Sequence, residues 1–378
     1  MSATMTIRIL SIIGTRPEAI KMAPVIQTLA ASPAVEGVVC ATGQHRQMLD
    51  QVLEIFAIKP DYDLELMRPG HTLNSLSALI FEKIDGLYDK VAPDVVLVHG
   101  DTTTAMAAAL AAFHKGIAVG HVEAGLRTYD MQRPYPEEMN RRAIDLVAKH
   151  LYAPTQSSRR NLLQEHLTSD RIVVTGNTVI DALLQTIDRI HNDTALRARL
   201  DKTFDFVDRS RRLLLVTGHR RESFGGGFER ICEALAKLGA RGDLEIVYPV
   251  HLNPNVDTVV RERLSGLKNI HLIAPVDYLS FMYLLDRAEG ILTDSGGVQE
   301  EAAALGKRVV IMREVTERPE GVEAGLAELV GTDVEKICTA VERAMANTGD
   351  QAKLRLIGQG LYGDGKAAGR ILADLVGE

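Results

Sequence analysis

The sequence predicts an α/β protein of two Rossmann-like domains, each a doubly wound parallel sheet, facing one another across a cleft. Three observations carry that expectation. Short apolar runs alternate with longer stretches of helical period. The apolar runs are continuous rather than alternating, as in strands buried on both faces. The alternation stops over a long polar, helical stretch at 179–208 and then starts again. A chain of 378 residues is long enough to bury two separate cores.

In chain order, strands are expected at 7–13, 35–41, 95–99, 118–122, 151–153 and 172–175. Helical patterns at 19–31, 73–91 and 103–115 lie between them, which is the rhythm of a parallel sheet wrapped by helices. The second series of strands is expected at 213–217, 246–250, 270–273, 290–293 and 309–312. These divide the chain into a first domain at 1–178, a helical connection at 179–208 and a second domain at 209–365. The tail, 366–378, reads as an amphipathic helix that packs back on the first domain.

Composition narrows the function. Apolar residues make up 46% and charged residues 25% of the chain, an ordinary globular balance. Trp is absent, aromatics are 4% and the net charge is −7. That argues against nucleic acid as a partner, which calls for basic surfaces and stacking rings. Cys40, Cys232 and Cys338 are scattered, fit no zinc spacing and read as reduced thiols of a cytoplasmic protein. The first residues lead directly into a strand without a secretory pattern, and no apolar run reaches membrane-spanning length. Neither a metal nor a membrane is expected.

Ligands of doubly wound sheets bind beyond the carboxyl ends of the strands, so the loops there carry the candidate chemistry. Gly14-Thr15-Arg16-Pro17-Glu18-Ala19-Ile20-Lys21 follows the first strand. Arg16 and Lys21 beside a helix N-terminus suit an anion such as a diphosphate, or form a solvated charge pair. The loop has neither a Walker A nor a GxGxxG spacing, so neither ATP nor NAD follows from it. Asp101, in His99-Gly100-Asp101-Thr102-Thr103-Thr104, reads as an acid–base group or as the N-cap of the next helix. Glu123, after the strand at 118–122 and before Gly125, suits acid–base work at a cleft mouth. Glu137 and Glu138 open a helix after Pro134 and Pro136, as catalytic carboxylates or as favourable dipole charges. Three carboxylate loops at successive strand ends form a cluster of the kind that separates acid from base.

The second series offers His219 between a strand end and Arg220-Arg221, a position suited to a phosphate. Ser295, Gly296 and Gly297 open a helix after a strand, and their amides can close around phosphate oxygens. Glu301, about one helical turn further on, is placed for two ribose hydroxyls. Arg313 and Arg318 add positive charge after the next strand.

These segments, together with TGQHRQMLDQVL, PYPEEMNRR, TGNTVIDAL, YPVHLNPNV, LTDSGGVQEEA and ERPEG, run in order along nearly the whole chain. The sequence resembles the bacterial non-hydrolysing UDP-N-acetylglucosamine 2-epimerases. The resemblance implies a GT-B fold, a homodimer, a UDP-sugar substrate and no cofactor. It implies that Asp101, Glu123 and Glu137 are acid–base groups and that His219, counted with them as catalytic, contacts the diphosphate. It places Arg16, Lys21, Ser295, Gly296, Gly297, Glu301 and Arg318 on the nucleotide or its diphosphate, and Phe281 in the segment that holds uracil. Gln44, Gln47, Arg220 and His251 match a second, regulatory UDP-GlcNAc site, while Gly70 stands where some relatives carry a basic residue. Ala303 and Arg308 replace common prolines, and Val276 an often polar residue. The catalytic positions are unaltered.

The implied reaction inverts C2 of UDP-GlcNAc to give UDP-ManNAc. The C2 hydrogen is not next to a carbonyl, so UDP departs first and the developing oxocarbenium acidifies it. A 2-acetamidoglucal forms, and reprotonation from the opposite face followed by return of UDP completes the inversion. The competing readings are a hydrolysing 2-epimerase, a UDP-GlcNAc-dependent GT-B glycosyltransferase with one base and an acceptor groove, and a silent nucleotide-sugar sensor.

Overall fold

The computed structural model describes residues 6–43, 46–66, 70, 72–346 and 351–377, apart from the side chains of 46–48. The chain forms two compact units, Met1–Ala182 with Gly363–Glu378, and Leu183–Tyr362.

The first unit runs β1 (Ile7–Ile13), α1 (Arg16–Ala31), β2 (Val35–Ala41), α2 (Arg46–Ile55), β3 (Tyr62–Asp63), α3 (Leu73–Val91), β4 (Val95–His99), α4 (Thr103–His114), β5 (Ala118–Val122), α5 (Glu137–Val147), β6 (His150–Ala153), α6 (Gln156–Gln164) and β7 (Ile172–Val174). All its strands pair in parallel, in the order β3-β2-β1-β4-β5-β6-β7. The five residues of β4 are buried throughout, as a central strand covered on both faces requires. Leu10, Ile12, Val96 and Val98 pack against Ile80, Ile84 and the alanines of α4. Those alanines, 105, 107, 108, 109, 111 and 112, are small enough to let α4 lie close to both sheet and α3.

α7 (Thr178–Asn192) follows, and the division between units falls inside it. The expected connection at 179–208 is therefore most of α7 together with α8 (Thr194–Thr203). The second unit continues with β8 (Arg212–Thr217), α9 (Gly226–Gly239), β9 (Leu244–Pro249), α10 (Pro254–Leu264), β10 (Ile270–Ile273), α11 (Tyr278–Arg287), β11 (Gly290–Thr293), α12 (Gly296–Ala304), β12 (Val309–Ile311), α13 (Pro319–Glu323), β13 (Ala327–Leu329), α14 (Val334–Ala346) and α15 (Gln351–Tyr362). Its sheet is parallel, in the order β10-β9-β8-β11-β12-β13. Leu214, Val216, Ile246, Tyr248, Leu292 and Val310 form its core with Ile231, Leu235 and Val341.

The last helix, α16 (Ala367–Val376), returns to the first unit. Its Asp374 accepts hydrogen bonds from Tyr152 at 2.9 Å and lies 2.9 Å from His150 Nδ1. The buried Asp181 caps its first turn through the Ala368 amide at 2.9 Å.

Both sheets are doubly wound, and each changes direction once. The change lies between β1 and β4 in the first unit and between β8 and β11 in the second. Chains leave on opposite faces at such a point and open a crevice at the strand ends. The loops at these two crevices are 14–15 and 100–102 in the first unit, and 218–225 and 294–295 in the second.

No helix among the described residues is long and apolar enough to cross a membrane. The cysteines are free, and burial, followed by Asp63, pushes the Cys40 thiol up to about 12.

Candidate active site

In the first unit the β1–α1 turn is tight. A side chain at Gly14 would run into Thr104 Oγ1 and Thr42 Oγ1, 2.7 and 2.8 Å from its first carbon. Glu18 accepts from the Gly14 and Thr15 amides at 3.1 and 2.7 Å and from the Thr102 hydroxyl at 2.7 Å. One buried carboxylate thus ties the start of α1 to the loop after β4. Burial raises its pKa, and its bonds to Thr102 and Thr15 work against that. Arg16 stands exposed at the first position of α1.

Asp101 does not cap α4. Thr102 is the N-cap, accepting from the Ala105 amide at 3.0 Å. Asp101 is left to interact with α5 instead: Arg141 lies 2.5 Å from its carboxylate, and Asn140 donates to its carbonyl at 2.8 Å.

Glu123 has a left-handed backbone, φ 72°, a conformation uncommon outside glycine and concentrated at functional sites. Its carboxylate pairs with Lys21, and His99 Nε2 lies 3.2 Å away. Burial opposes ionisation of Glu123. Lys21 and then His99 outweigh it and hold the carboxyl well below the usual carboxylate range. Lys21, expected on a diphosphate, is therefore also a partner of the central carboxylate.

The adjacent glutamates of α5 separate. Glu138 is fully buried and accepts from the Thr128 and Tyr129 amides, both at 3.0 Å, so it shapes the loop. Glu137 Oε2 is buried and accepts no hydrogen bond. An unsatisfied buried oxygen costs about 1–3 kcal/mol, a cost a functional group bears when a substrate supplies its partner.

Behind these groups lies a buried network that sequence reading missed. His121 Nδ1 is 2.6 Å from Asp145, and Nε2 is 2.7 Å from the Gly100 carbonyl. Asp145 also accepts from the Gly125 amide at 3.2 Å and pairs with Arg127 at 2.8 Å. Burial opposes ionisation of Asp145, and His121 and Arg127 overcome it and lower its pKa. The cluster clamps the residue before Asp101 to the turn after Glu123. Neither His121 nor Asp145 has a local sequence signal, because the partners are 24 residues apart.

In the second unit Asp294, at the end of β11, accepts from the His219 and Arg220 amides at 2.7 and 2.8 Å. The His219 ring stacks on His251, with centroids 5.4 Å apart. Ser295 is the N-cap of α12 without a side-chain cap bond, and its amide donates to Thr293 Oγ1 at 2.9 Å. The guanidinium of Arg318 lies over Gly296 and pairs with Glu300 at 2.5 Å. Gly297 is exposed and faces open space. Glu301 is buried within α12, and Phe281 is half-buried on α11. Arg313 differs from expectation: Glu222 and Glu317, at 2.6 and 2.7 Å, already meet its charge. Glu317 is held at about 2, against burial, by Arg313.

Gln44 and the side chain of Gln47 lie outside the described residues. Arg220 and His251 belong to the second unit, and Gly70 is exposed in the first. Among the described residues no group of three or more His, Cys, Asp or Glu is placed to hold a metal ion.

The family model described as UDP-N-acetylglucosamine 2-epimerase matches residues 27–376. A UDP-N-acetylglucosamine 2-epimerase of Yersinia pestis is 53% identical over 97% of this chain and 98% of its own. Its counterpart in Escherichia coli strain K12 is 52% identical over 97% and 98%. The crystal structure of UDP-GlcNAc 2-epimerase from Neisseria meningitidis bound to UDP-GlcNAc is 43% identical, covers 98% of this chain and 100% of its own, and superimposes with a TM-score of 0.88. Two parallel-sheet units of seven and six strands agree with a GT-B fold. By sequence match and fold, the chain belongs to the UDP-N-acetylglucosamine 2-epimerase family.

Proposed function

We propose that the protein interconverts UDP-GlcNAc and UDP-ManNAc without hydrolysis, by eliminating UDP to 2-acetamidoglucal and adding it back. The observation that carries the reading is the state of Glu123. A buried carboxylate that Lys21 and His99 keep ionised is available to receive the C2 proton, and because the same neighbours weaken it as a base, the transfer requires that departure of UDP first acidify C2–H. In the reverse direction the same group returns that proton. Asp101 and Glu137 supply the acid–base partner for the opposite face of C2. The departing diphosphate needs cations and amides, a role for Arg16, His219, Arg318 and the first turn of α12. Glu301 takes the ribose and Phe281 the uracil segment.

The same reading makes the protein a cytoplasmic homodimer activated by a second UDP-GlcNAc, with Gln44, Gln47, Arg220 and His251 as the activator's residues. Conversion of purified UDP-ManNAc should then begin with a lag that a trace of UDP-GlcNAc removes. A linear initial rate would remove the activator and leave the epimerase.

Proton NMR of UDP-GlcNAc incubated with the protein alone tests the reaction. UDP-ManNAc should accumulate to a fixed equilibrium ratio. Free ManNAc with UDP would indicate a hydrolysing enzyme, and turnover only with an acceptor a glycosyltransferase.

A further inference from the structure

Asp294 is among the least exposed charged residues of the second unit, at 1%, and one of its oxygens has no hydrogen bond. Oδ2 accepts from the two amides of the β8 loop. Oδ1 is buried and accepts none, yet His219 Nδ1 stands 3.4 Å from it. An N–H at Nδ1 is the donor at hand for that oxygen. The carboxylate therefore selects the tautomer with the proton on Nδ1. Nε2 then lies on the far side of the ring, on a side chain that keeps 42% of its surface exposed.

We propose that Asp294 is a positioning residue for His219: it holds the Nδ1–H tautomer, presents Nε2 to the diphosphate, and shares the charge when Nε2 takes up a proton on nucleotide binding. This rests on the reading that the loops after β8 and β11 receive the diphosphate. The proton comes from solvent and ends on Nε2, where it donates to a phosphate oxygen. A bare Nε2 lone pair would instead oppose that oxygen.

The surroundings fit such a proton-linked contact. Burial pushes the imidazole below its usual pKa. Asp294 works against burial, while Arg220 on the same loop and His251 after β9 add to it. Arg220 in turn faces Glu317 beyond β12. Burial thus favours the neutral imidazole in the free enzyme, and an arriving phosphate favours the charged one.

UDP binding, measured by calorimetry from about pH 7 to 9, tests this, since the terminal phosphate of UDP is fully ionised above its second pKa near about 6. Wild-type affinity should fall as pH rises, by up to about tenfold per pH unit, with proton uptake visible as a dependence of the heat on buffer. His219→Gln and Asp294→Asn should lose that slope. Asp294→Asn keeps an oxygen for the two loop amides, so folding is expected to survive. Nitrogen-15 spectra of histidine-labelled protein should show His219 as the Nδ1–H tautomer in the wild type and shifted towards Nε2–H in Asp294→Asn. The His219→Gln spectrum identifies the resonance. An Nε2–H tautomer in the wild type, or an unchanged slope in Asp294→Asn, would overturn the proposal while leaving the diphosphate site intact. Failure of UDP to bind at all would remove both.

Discussion

At the scale of single residues, the candidate chemistry belongs to side chains whose neighbours leave them something to do. Asp101 is released from capping by Thr102, Glu123 is kept ionised by Lys21 and His99, and Glu137 has a buried oxygen without a partner. Asp101→Asn, Glu123→Gln and Glu137→Gln should each lower kcat by about 10²–10⁴-fold, the usual contribution of an acid–base group. UDP affinity should stay near wild type, as calorimetry would show, because the proposed reaction has the three act on the sugar. Loss of UDP binding in step with kcat in all three would make them nucleotide ligands or structural residues. Gly297→Ala separates the other function. Its added methyl enters open space at the start of α12, so the melting temperature should hold, with alanine the better helix former. UDP should bind about tenfold more weakly or worse, because the methyl stands where a diphosphate must approach the α12 amides and keeps it from its charge-assisted contacts. Unaltered UDP affinity would take the α12 amides off the diphosphate. Much of this was legible in the sequence as alternatives and little as decisions. Asp101 and Thr102 are both good cap formers, and Glu137 and Glu138 carry the same local signal. Only the fold shows that Thr102 caps α4 and that Glu138 is consumed by two loop amides.

Elements show a different balance. β1, β4 and β5 were legible because strands buried on both faces leave continuous apolar runs. β3 and β13 were not, since the first has two residues, one of them Asp63, and the second is half-buried and contains Glu328. α5 was visible as a helix, but its role was hidden. It holds Asp101 through Asn140 and Arg141, carries Glu137, and anchors β5 through Asp145. Asp145→Asn leaves His121 and Arg127 facing a neutral group inside the first unit. Breaking a buried ionic cluster in this way costs about 3–5 kcal/mol, so chemical denaturation should detect a large loss of stability together with a fall in kcat. The pH dependence follows from the lowered pKa of Asp145. A carboxyl with a depressed folded pKa contributes stability that is full above its unfolded value and is lost as pH falls through the folded one. Acid unfolding of the wild type should therefore show this contribution disappearing below about pH 4, and the variant should lack that component. Equal acid profiles would mean that Asp145 is not the ion the cluster is built on.

For the whole molecule, a repeated strand–helix rhythm was enough to foresee two doubly wound sheets. The division of the chain was less legible. A continuous helix, α7, crosses it, and helical periodicity carries no mark of a unit boundary inside one helix. In the proposed reaction C2 is inverted by removing its proton after UDP departs and returning another from the opposite face. Turnover in D2O, without added NAD or acceptor, measures this directly. Deuterium should appear at C2 of both UDP-GlcNAc and UDP-ManNAc at equilibrium, and nowhere else on the ring. Epimerisation with full retention of the original C2 hydrogen would contradict it, because the hydrogen would then have moved without passing through a solvent-exchanging carboxylate.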